Sequence, residues 1–360
     1  MTDADGRVRI AILGPGDVAT RDYLPEFNRI ADRARIVAVC GRSEARASAV
    51  AGELGVPWFI DQDRMMRDVS IDAIVNLTPI TAHEATTAAA LRAGAHVYSE
   101  KPLAGSVEAA RRLRDEAAQR GLVLAAAPSV ALFPQVELAG RMLEDDAIGQ
   151  VHTVRGLGLG GVPPWVGYNS DPSPFFADGA GPLVDLGVYP LHAITGLLGP
   201  ARRVVAMSTR TRDGFDVVDG PLAGTRVQVH VDDAWAVTLE LGSARLATVE
   251  ANFTAHGTRS AELELMGERG TIALSLLDVA QPVHVLDATG AWRSIAVGAT
   301  RADGGPDHIV GVEHLVECIR TGARPRLHAD HAIHVLEILD ASVRSVRDRV
   351  AVDLETTFQP

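Results

Sequence analysis

Cysteine is nearly absent: the 360 residues hold only Cys40 and Cys318. Both sit in apolar or helical patterns and read as small buried hydrophobes, which excludes a disulfide scaffold and a cysteine-based zinc site. So few thiols fit a reducing compartment. A basic excess is also missing, with 34 Lys and Arg against 46 Asp and Glu and a net charge of −12. Phosphate backbones need a basic face, so no nucleic-acid partner is expected, and anionic membranes are disfavoured in the same way. No apolar run reaches the ~18 residues of a membrane span. The polar, acidic start from Met1 to Gly6 does not resemble a secretory leader. The expected setting is therefore cytoplasmic, with no membrane contact. Aromatics are sparse at 4%, which makes the group Trp165, Tyr168, Phe175 and Phe176 stand out. Those rings are either the apolar wall of a sugar site or core filling.

The chain is otherwise an ordinary globular one, 47% hydrophobic and 22% charged. Its length suggests two domains at about 100–200 residues each. Val8 to Leu13 is a short β-branched run ended by glycine and proline, the pattern of a strand buried on both faces. A helical stretch follows from Val18 to Ala31, then a strand from Ile36 to Cys40 and a helix capped by Ser43. Strands over 72–77, 96–98 and 122–126 alternate with helices over 82–93 and 107–120. That rhythm predicts a parallel, doubly wound sheet over residues 1–128. Beyond a helix at 134–143 the rhythm changes. Alternating segments at 151–155, 225–231, 235–241, 244–251, 261–266 and 271–276 predict a mostly antiparallel sheet within a second α/β domain, 129–360. Residues 158–180 read as a long irregular loop, and two helices, 308–321 and 331–346, follow the strands.

The first strand runs into Gly14-Pro15-Gly16-Asp17-Val18-Ala19, a G-x-G-x-x-A pattern. Gly14 permits a tight turn, Gly16 lets backbone approach a pyrophosphate, and Ala19 allows close helix–strand packing. The helix start then faces the phosphates. Strand before and helix after are the context that turns a glycine turn into a dinucleotide fingerprint. The tip of the second strand, Gly41-Arg42-Ser43, lacks the acid that usually binds both ribose hydroxyls in NAD enzymes. Arg42 and Ser43, assisted by Arg46, suit a 2′-phosphate, so NADP is the expected nucleotide and NAD the alternative. Arg42 stacked on the adenine is the other reading of that residue.

Asn76-Leu77-Thr78-Pro79, His83, and the run from Ala93 to Leu103 containing Glu100-Lys101-Pro102 together resemble the glucose–fructose oxidoreductase/inositol dehydrogenase/MocA family. Gly181 to Tyr189 matches that family's second motif, and the segment around Cys318 to Pro325 resembles its C-terminal pattern. The resemblance implies an N-terminal Rossmann domain and a C-terminal α/β domain whose large sheet exposes a face that commonly makes a homodimer or homotetramer. It also implies hydride transfer between a nicotinamide and a sugar, polyol or related cyclic alcohol or ketone. Two other outcomes stay open. One is transient oxidation on a tightly held nucleotide followed by elimination or hydrolysis. The other is nucleotide sensing without turnover, against which Lys101 and Asp185 argue.

Oxidation of an alcohol needs a base for the hydroxyl proton. Lys101 follows a parallel strand at the edge where open α/β folds bind ligands. An ordinary lysine, with a pKa of ~10.4, is a poor base at neutral pH, and burial or a neighbouring cation lowers that value. Glu100 is expected to bind the nicotinamide ribose, and the resemblance implies that Pro102 holds a cis or otherwise constrained peptide that aims Lys101. Asp185 and Tyr189, four residues apart, share a helical face. Many relatives have histidine where this chain has Tyr189, so the proton donor is either Lys101 or Tyr189, and a buried packing role for Tyr189 stands beside both. His192, further along the same face, is a substrate ligand or a core histidine, and Trp165 is a candidate substrate contact. Thr78, Pro79 and His83 should border the cofactor, although Ile80 stands where many relatives have asparagine.

Overall fold

The computed structural model describes residues 5–165, 168–298, 300–301 and 304–359. Two compact units emerge: residues 5–129 with 308–336, and the described residues of 130–307 with 337–359. Residues 308–336 thus group with the first unit, unlike the simple division at 128 read from the sequence. The reason is a set of long-range contacts, among them the Ala126 N–H donating to the Leu327 carbonyl at 3.0 Å. A Cβ at Gly311 would lie 2.5 Å from the Tyr98 hydroxyl, so a helix from the far end of the sequence lies flush on that ring.

In the first unit β1 (Val8–Leu13), β2 (Ala34–Cys40), β3 (Trp58–Phe59), β4 (Ala73–Asn76), β5 (His96–Ser99) and β6 (Leu124–Ala126) form one parallel sheet in the order β3-β2-β1-β4-β5-β6. The crossovers carry α1 (Glu44–Leu54), α2 (Gln62–Asp68), α3 (His83–Arg92) and α4 (Val107–Gln119). This is the Rossmann arrangement. The chain winds outward from β1 and then returns to β4 on its other side, leaving a switch point between β1 and β4. Strands covered on both faces explain the unbroken apolar runs, and Val8, Ile10 and Ala11 are fully buried.

The helical stretch after β1 departs from the α-helix expected over 18–31. It is a π-helical turn, Ala19–Tyr23, followed by a 3-10 helix, Leu24–Ile30. Pro25 has no N–H to give Arg21, so the i→i+4 ladder cannot run through. Leu24 instead donates to Ala19 across five residues.

Arg9 in β1 is tied to Asp72, just before β4. Its backbone N–H, Nε and Nη2 reach the carboxylate at 2.8, 2.9 and 2.6 Å. Burial pushes the Asp72 carboxyl up, but these Arg9 bonds and charge outweigh it and hold it below its ordinary value. A lowered carboxyl stabilises fully above its unfolded pKa of ~3.9 and loses that contribution as pH falls through the folded value. Asp72→Asn should therefore cost about 2–3 kcal/mol at pH 7 in urea unfolding, and the gap to wild type should close on acidification below ~pH 4. An unchanged midpoint at pH 7 would remove the pair from the account.

The second unit begins with α5 (Pro134–Glu144) and β7 (Val151–Leu159). A π-helical turn, Leu183–Gly187, leads into α6 (Val188–Leu198). There follow β8 (Ala201–Thr209), the small hairpin β9 (Gly214–Asp216) and β10 (Arg226–Gln228), then β11 (Ala234–Leu241), β12 (Arg245–Asn252), β13 (Leu263–Gly267), β14 (Gly270–Leu274), β15 (Val283–Leu286) and β16 (Trp292–Ile295). Helix α7 (Ile309–Thr321) belongs to the first unit. Helix α8 (Ala329–Asp348) starts there and ends in the second, before β17 (Val352–Asp353). The nine-stranded sheet is antiparallel except where β7 runs parallel to β12.

Strand β7 runs four residues past its expected end at Arg155. Gly156 and Gly158 look like breakers, yet they are contact points. A Cβ at Gly156 would lie 2.6 Å from the Pro190 ring, and one at Gly158 2.6 Å from the Leu186 backbone, so both glycines let the 183–198 helical segment rest on the sheet. The irregular stretch over 158–180 includes Val166 and Gly167, which lie outside the described residues. Its aromatics close a satellite core. The Trp165 and Phe175 centroids are 5.1 Å apart, Phe176 and Phe253 5.4 Å, and all meet edge to face.

Candidate active site

The register of the first sheet brings the carboxyl ends of its strands level. Leu13 of β1 pairs with Cys40 of β2 and Asn76 of β4, and Asn76 pairs with Ser99 of β5. The loops that follow, holding Gly14 to Gly16, Gly41 to Ser43, Thr78-Pro79 and Glu100 to Pro102, therefore emerge along one edge. Sequence positions from Gly14 to Pro102 become neighbours through strand pairing alone.

The fingerprint glycines do different work. Gly14 has φ +87°, and a Cβ there would strike the Leu77 carbonyl at 2.6 Å, so the turn itself demands glycine. Gly16 faces open space. The nearest atom to a Cβ there is Arg46 Nη1, at 4.0 Å. Backbone approach by a phosphate is what that opening suits, with a guanidinium already beside it. Asp17, Val18 and Ala19 continue from it, with Ala19 fully buried as close packing requires. At the β2 tip Arg42, Ser43 and Arg46 are all exposed. The Ser43 hydroxyl accepts from the Arg46 N–H at 3.4 Å as the cap of α1, which leaves its own O–H to donate elsewhere.

At the end of β4, buried Asn76 braces the next loop. Its Nδ2 donates to Thr86 Oγ1 at 2.8 Å and Thr87 Oγ1 at 2.9 Å, and its Oδ1 accepts the Thr78 hydroxyl at 2.7 Å. Pro79 is exposed beyond it, and His83 is buried beneath, 1% exposed. The His83 ring lies between two backbone carbonyls, Nδ1 2.7 Å from Pro102 O and Nε2 2.7 Å from Thr78 O.

Lys101 is half-buried after β5, and the Lys101–Pro102 peptide is cis. Glu100, expected to meet a ribose, is 8% exposed and already engaged. Its Oε1 accepts the Tyr23 hydroxyl at 2.5 Å and its Oε2 accepts the Lys101 N–H at 3.0 Å. Burial first, and the Glu100 charge second, hold the Tyr23 hydroxyl well above its ordinary pKa, so it stays a donor. The chain of contacts continues from Tyr23 to Tyr98 at 3.5 Å, Tyr98 to Ser129 at 3.3 Å, and Ser129 to the His308 carbonyl at 3.3 Å. Burial pushes His308, whose ring centroid lies 5.6 Å from that of Tyr23, below its ordinary value. Tyr23 was not legible as a site residue. Its partner lies 77 residues away, and the π-helical turn that places it has no periodic signature.

In the second unit Asp185 falls within the π-helical turn and Tyr189 within α6, so the regular helix expected to carry both is interrupted between them. Pro190 accounts for this, since its ring would clash with the Leu186 carbonyl in a continuous α-helix. A π turn takes somewhat more than four residues, so the two side chains still leave on nearly the same side. Tyr189 is buried, at 7% exposure. His192 is buried with Nδ1 2.9 Å from the Val188 carbonyl, a bond within its own helix. The Trp165 indole N–H donates to the Gly160 carbonyl at 2.6 Å, and its ring packs on Phe175 and Phe253.

Among the described residues no helix is long and apolar enough to cross a membrane. Comparison with known proteins gives a consistent picture. The profile of the oxidoreductase family with an NAD-binding Rossmann fold matches residues 8–127, and that of the GFO/IDH/MocA C-terminal domain matches residues 136–273. A D-xylose 1-dehydrogenase (NADP(+)) of Haloferax volcanii is 27% identical over 356 residues, 96% of this chain and 99% of the relative. A scyllo-inositol 2-dehydrogenase (NAD(+)) of Bacillus subtilis is 25% identical over 354 residues, 97% of each chain. The solved structure of a levoglucosan dehydrogenase in complex with NADH and levoglucosan shares the fold, with a TM-score of 0.83 at 21% identity over 96% of this chain and 99% of that one. With both of its domains matched in order along one chain, the protein belongs to the Gfo/Idh/MocA oxidoreductase family.

Proposed function

We propose that the protein is an NAD(P)-dependent oxidoreductase of sugars, polyols or related cyclic alcohols and ketones, with Lys101 as the central acid/base. The observation that carries this reading is the level edge of the first sheet, where the fingerprint loop and Lys101 emerge from strands joined through β4. When bound, the nicotinamide supplies the hydride acceptor or donor. Gly14, Gly16 and the helix start hold the pyrophosphate, and Thr78 and Pro79 border the same edge. Lys101 exchanges the proton of the substrate hydroxyl. Asp185 orients that hydroxyl or holds Lys101, and Tyr189 donates or relays a proton beside it. The names of relatives that act on xylose and on inositol support the substrate class. The experiment is a panel of sugars and cyclic polyols read at the reduced nicotinamide absorbance, with both nucleotides. No substrate-dependent change across the panel would count against the reading.

NADP is the preferred nucleotide in this proposal. Relatives named for NADP and for NAD both occur, so the preference rests on the missing acid at Gly41-Arg42-Ser43 and on Arg46 beside Gly16. An arginine–phosphate contact is charge-assisted and contributes about 1.5–3 kcal/mol, so NADP should bind roughly tenfold more tightly than NAD. Arg42→Ala and Arg46→Ala should each shrink that ratio, and calorimetric titration will separate their shares. Equal affinities in the wild type would mean that neither guanidinium reads a 2′-phosphate.

The proposal also includes a cytoplasmic setting, in keeping with two free, buried thiols. It further includes a homodimer or homotetramer through the outward face of the large sheet. Supporting that contact, Val205, Met207 and Leu246 are 46, 76 and 53% exposed there.

A further inference from the structure

We infer that His83 is an imidazolium strut, donating both ring N–H groups to backbone carbonyls, and that it positions Lys101 through Pro102 rather than touching the nucleotide. The inference rests on the acid/base reading of Lys101 for its consequence, but not for its geometry. Both ring nitrogens stand 2.7 Å from a carbonyl oxygen, Pro102 O on one side and Thr78 O on the other. Carbonyl oxygens only accept. A neutral imidazole has one N–H, so its other nitrogen would aim a lone pair at an oxygen lone pair at that same distance. Both contacts also fall at the short end of the range, where charge-assisted bonds lie. Two N–H groups on one ring satisfy the geometry. His83 is 1% exposed, so bulk water does not come between either nitrogen and its carbonyl.

The two carbonyls belong to the loops after β4 and β5, which makes the ring a crossbar between them. Each loop has other braces as well. Asn76 Oδ1 holds the Thr78 hydroxyl, and Glu100 Oε2 holds the Lys101 N–H while Tyr23 holds Glu100. Lys101 is thus fixed on its N-terminal side by Glu100 and on its C-terminal side, one residue on, by His83. Neither brace uses the Lys101 side chain. Leucine or phenylalanine at 83 would fill the volume and leave both carbonyls without their donor. Glutamine presents its two N–H groups from one atom and so reaches one carbonyl at a time.

The direct test is the ring 15N spectrum of histidine-labelled wild-type protein near neutral pH, with the His83 signals identified by their loss in His83→Gln. Both ring nitrogens should carry hydrogen. One nitrogen with the shift of a bare lone pair would overturn the imidazolium strut. Kinetics test the positioning role. His83→Phe should lower kcat about 10–100-fold, as a displacement near 1 Å does, with nucleotide Kd within about twofold and His83→Gln in between. Equal loss of nucleotide affinity and turnover would instead make His83 part of the cofactor site. Should Lys101→Met leave turnover unchanged while the doubly protonated ring is observed, the reading of Lys101 fails and the strut stands.

Discussion

Lys101→Met should lose about 10²–10⁴-fold in turnover while keeping its affinity for the nucleotide, because general acid–base catalysis contributes that much and the fingerprint lies elsewhere on the edge. Methionine matches the reach of lysine without its charge or proton. The braces around residue 101 use the backbone, the Glu100 carboxylate and the Pro102 carbonyl, so they should survive the substitution. The change therefore removes the chemistry and leaves the support. Tyr189→Phe is the companion. If the two residues act as a unit, its loss should match that of Lys101→Met, and the double variant should lose little more. A loss of less than about tenfold would assign Tyr189 to packing, which its burial permits. Wild-type turnover in Lys101→Met would remove the lysine from the mechanism.

Gly16→Val should abolish nucleotide binding in a folded protein. This separates it from Gly14. A side chain at Gly14 meets the Leu77 carbonyl at 2.6 Å and needs a left-handed backbone, so changes there break the turn before they test a ligand. Among the described residues, the nearest atom to a Cβ at Gly16, its own chain neighbours apart, is the end of the flexible Arg46 side chain, at 4.0 Å. Valine fits the fold and occupies the space through which a phosphate reaches backbone N–H groups. Losing two or more charge-assisted bonds to a phosphate, at about 1.5–3 kcal/mol each, corresponds to at least ~100-fold in Kd. Circular dichroism and the melting temperature should stay near wild type. Undiminished titration of nucleotide by such a folded variant would mean the loop is an ordinary glycine turn.

The parts of the fold visible in the sequence are those in which one residue pattern has one cause. Val8 to Leu13 reads as a buried strand because both of its faces are covered, and Ser43 reads as a cap because its hydroxyl meets the N–H of Arg46. What escaped depends on partners far along the chain. Gly156 and Gly158 look like strand breakers until Pro190 and Leu186 are seen resting on them. Strand β8 escaped because Arg202 and Arg203 blur its alternation, and β16 because its residues are largely exposed. The grouping of 308–336 with the first unit comes from contacts such as Gly311 on Tyr98 and Arg29 with Glu313, which leave no local trace. In the site, the motifs marked Glu100, Lys101 and His83 as a group but gave Glu100 and His83 ligand-facing roles. The structure engages Glu100 with Tyr23 and His83 with two carbonyls, because buried polar groups take the partners that folding supplies.

Isotope transfer tests the central claim most directly. Aldoses and inositols carrying deuterium on the carbinol carbon are incubated with the protein and oxidised nucleotide, and the nucleotide released to solution is weighed by mass spectrometry. The account predicts that deuterium from at least one substrate appears in the reduced nicotinamide ring, at a rate at least ~100-fold lower in Lys101→Met. Consumption of substrate with no label in any released nucleotide would contradict it, and would point to oxidation and re-reduction on a nucleotide that never leaves.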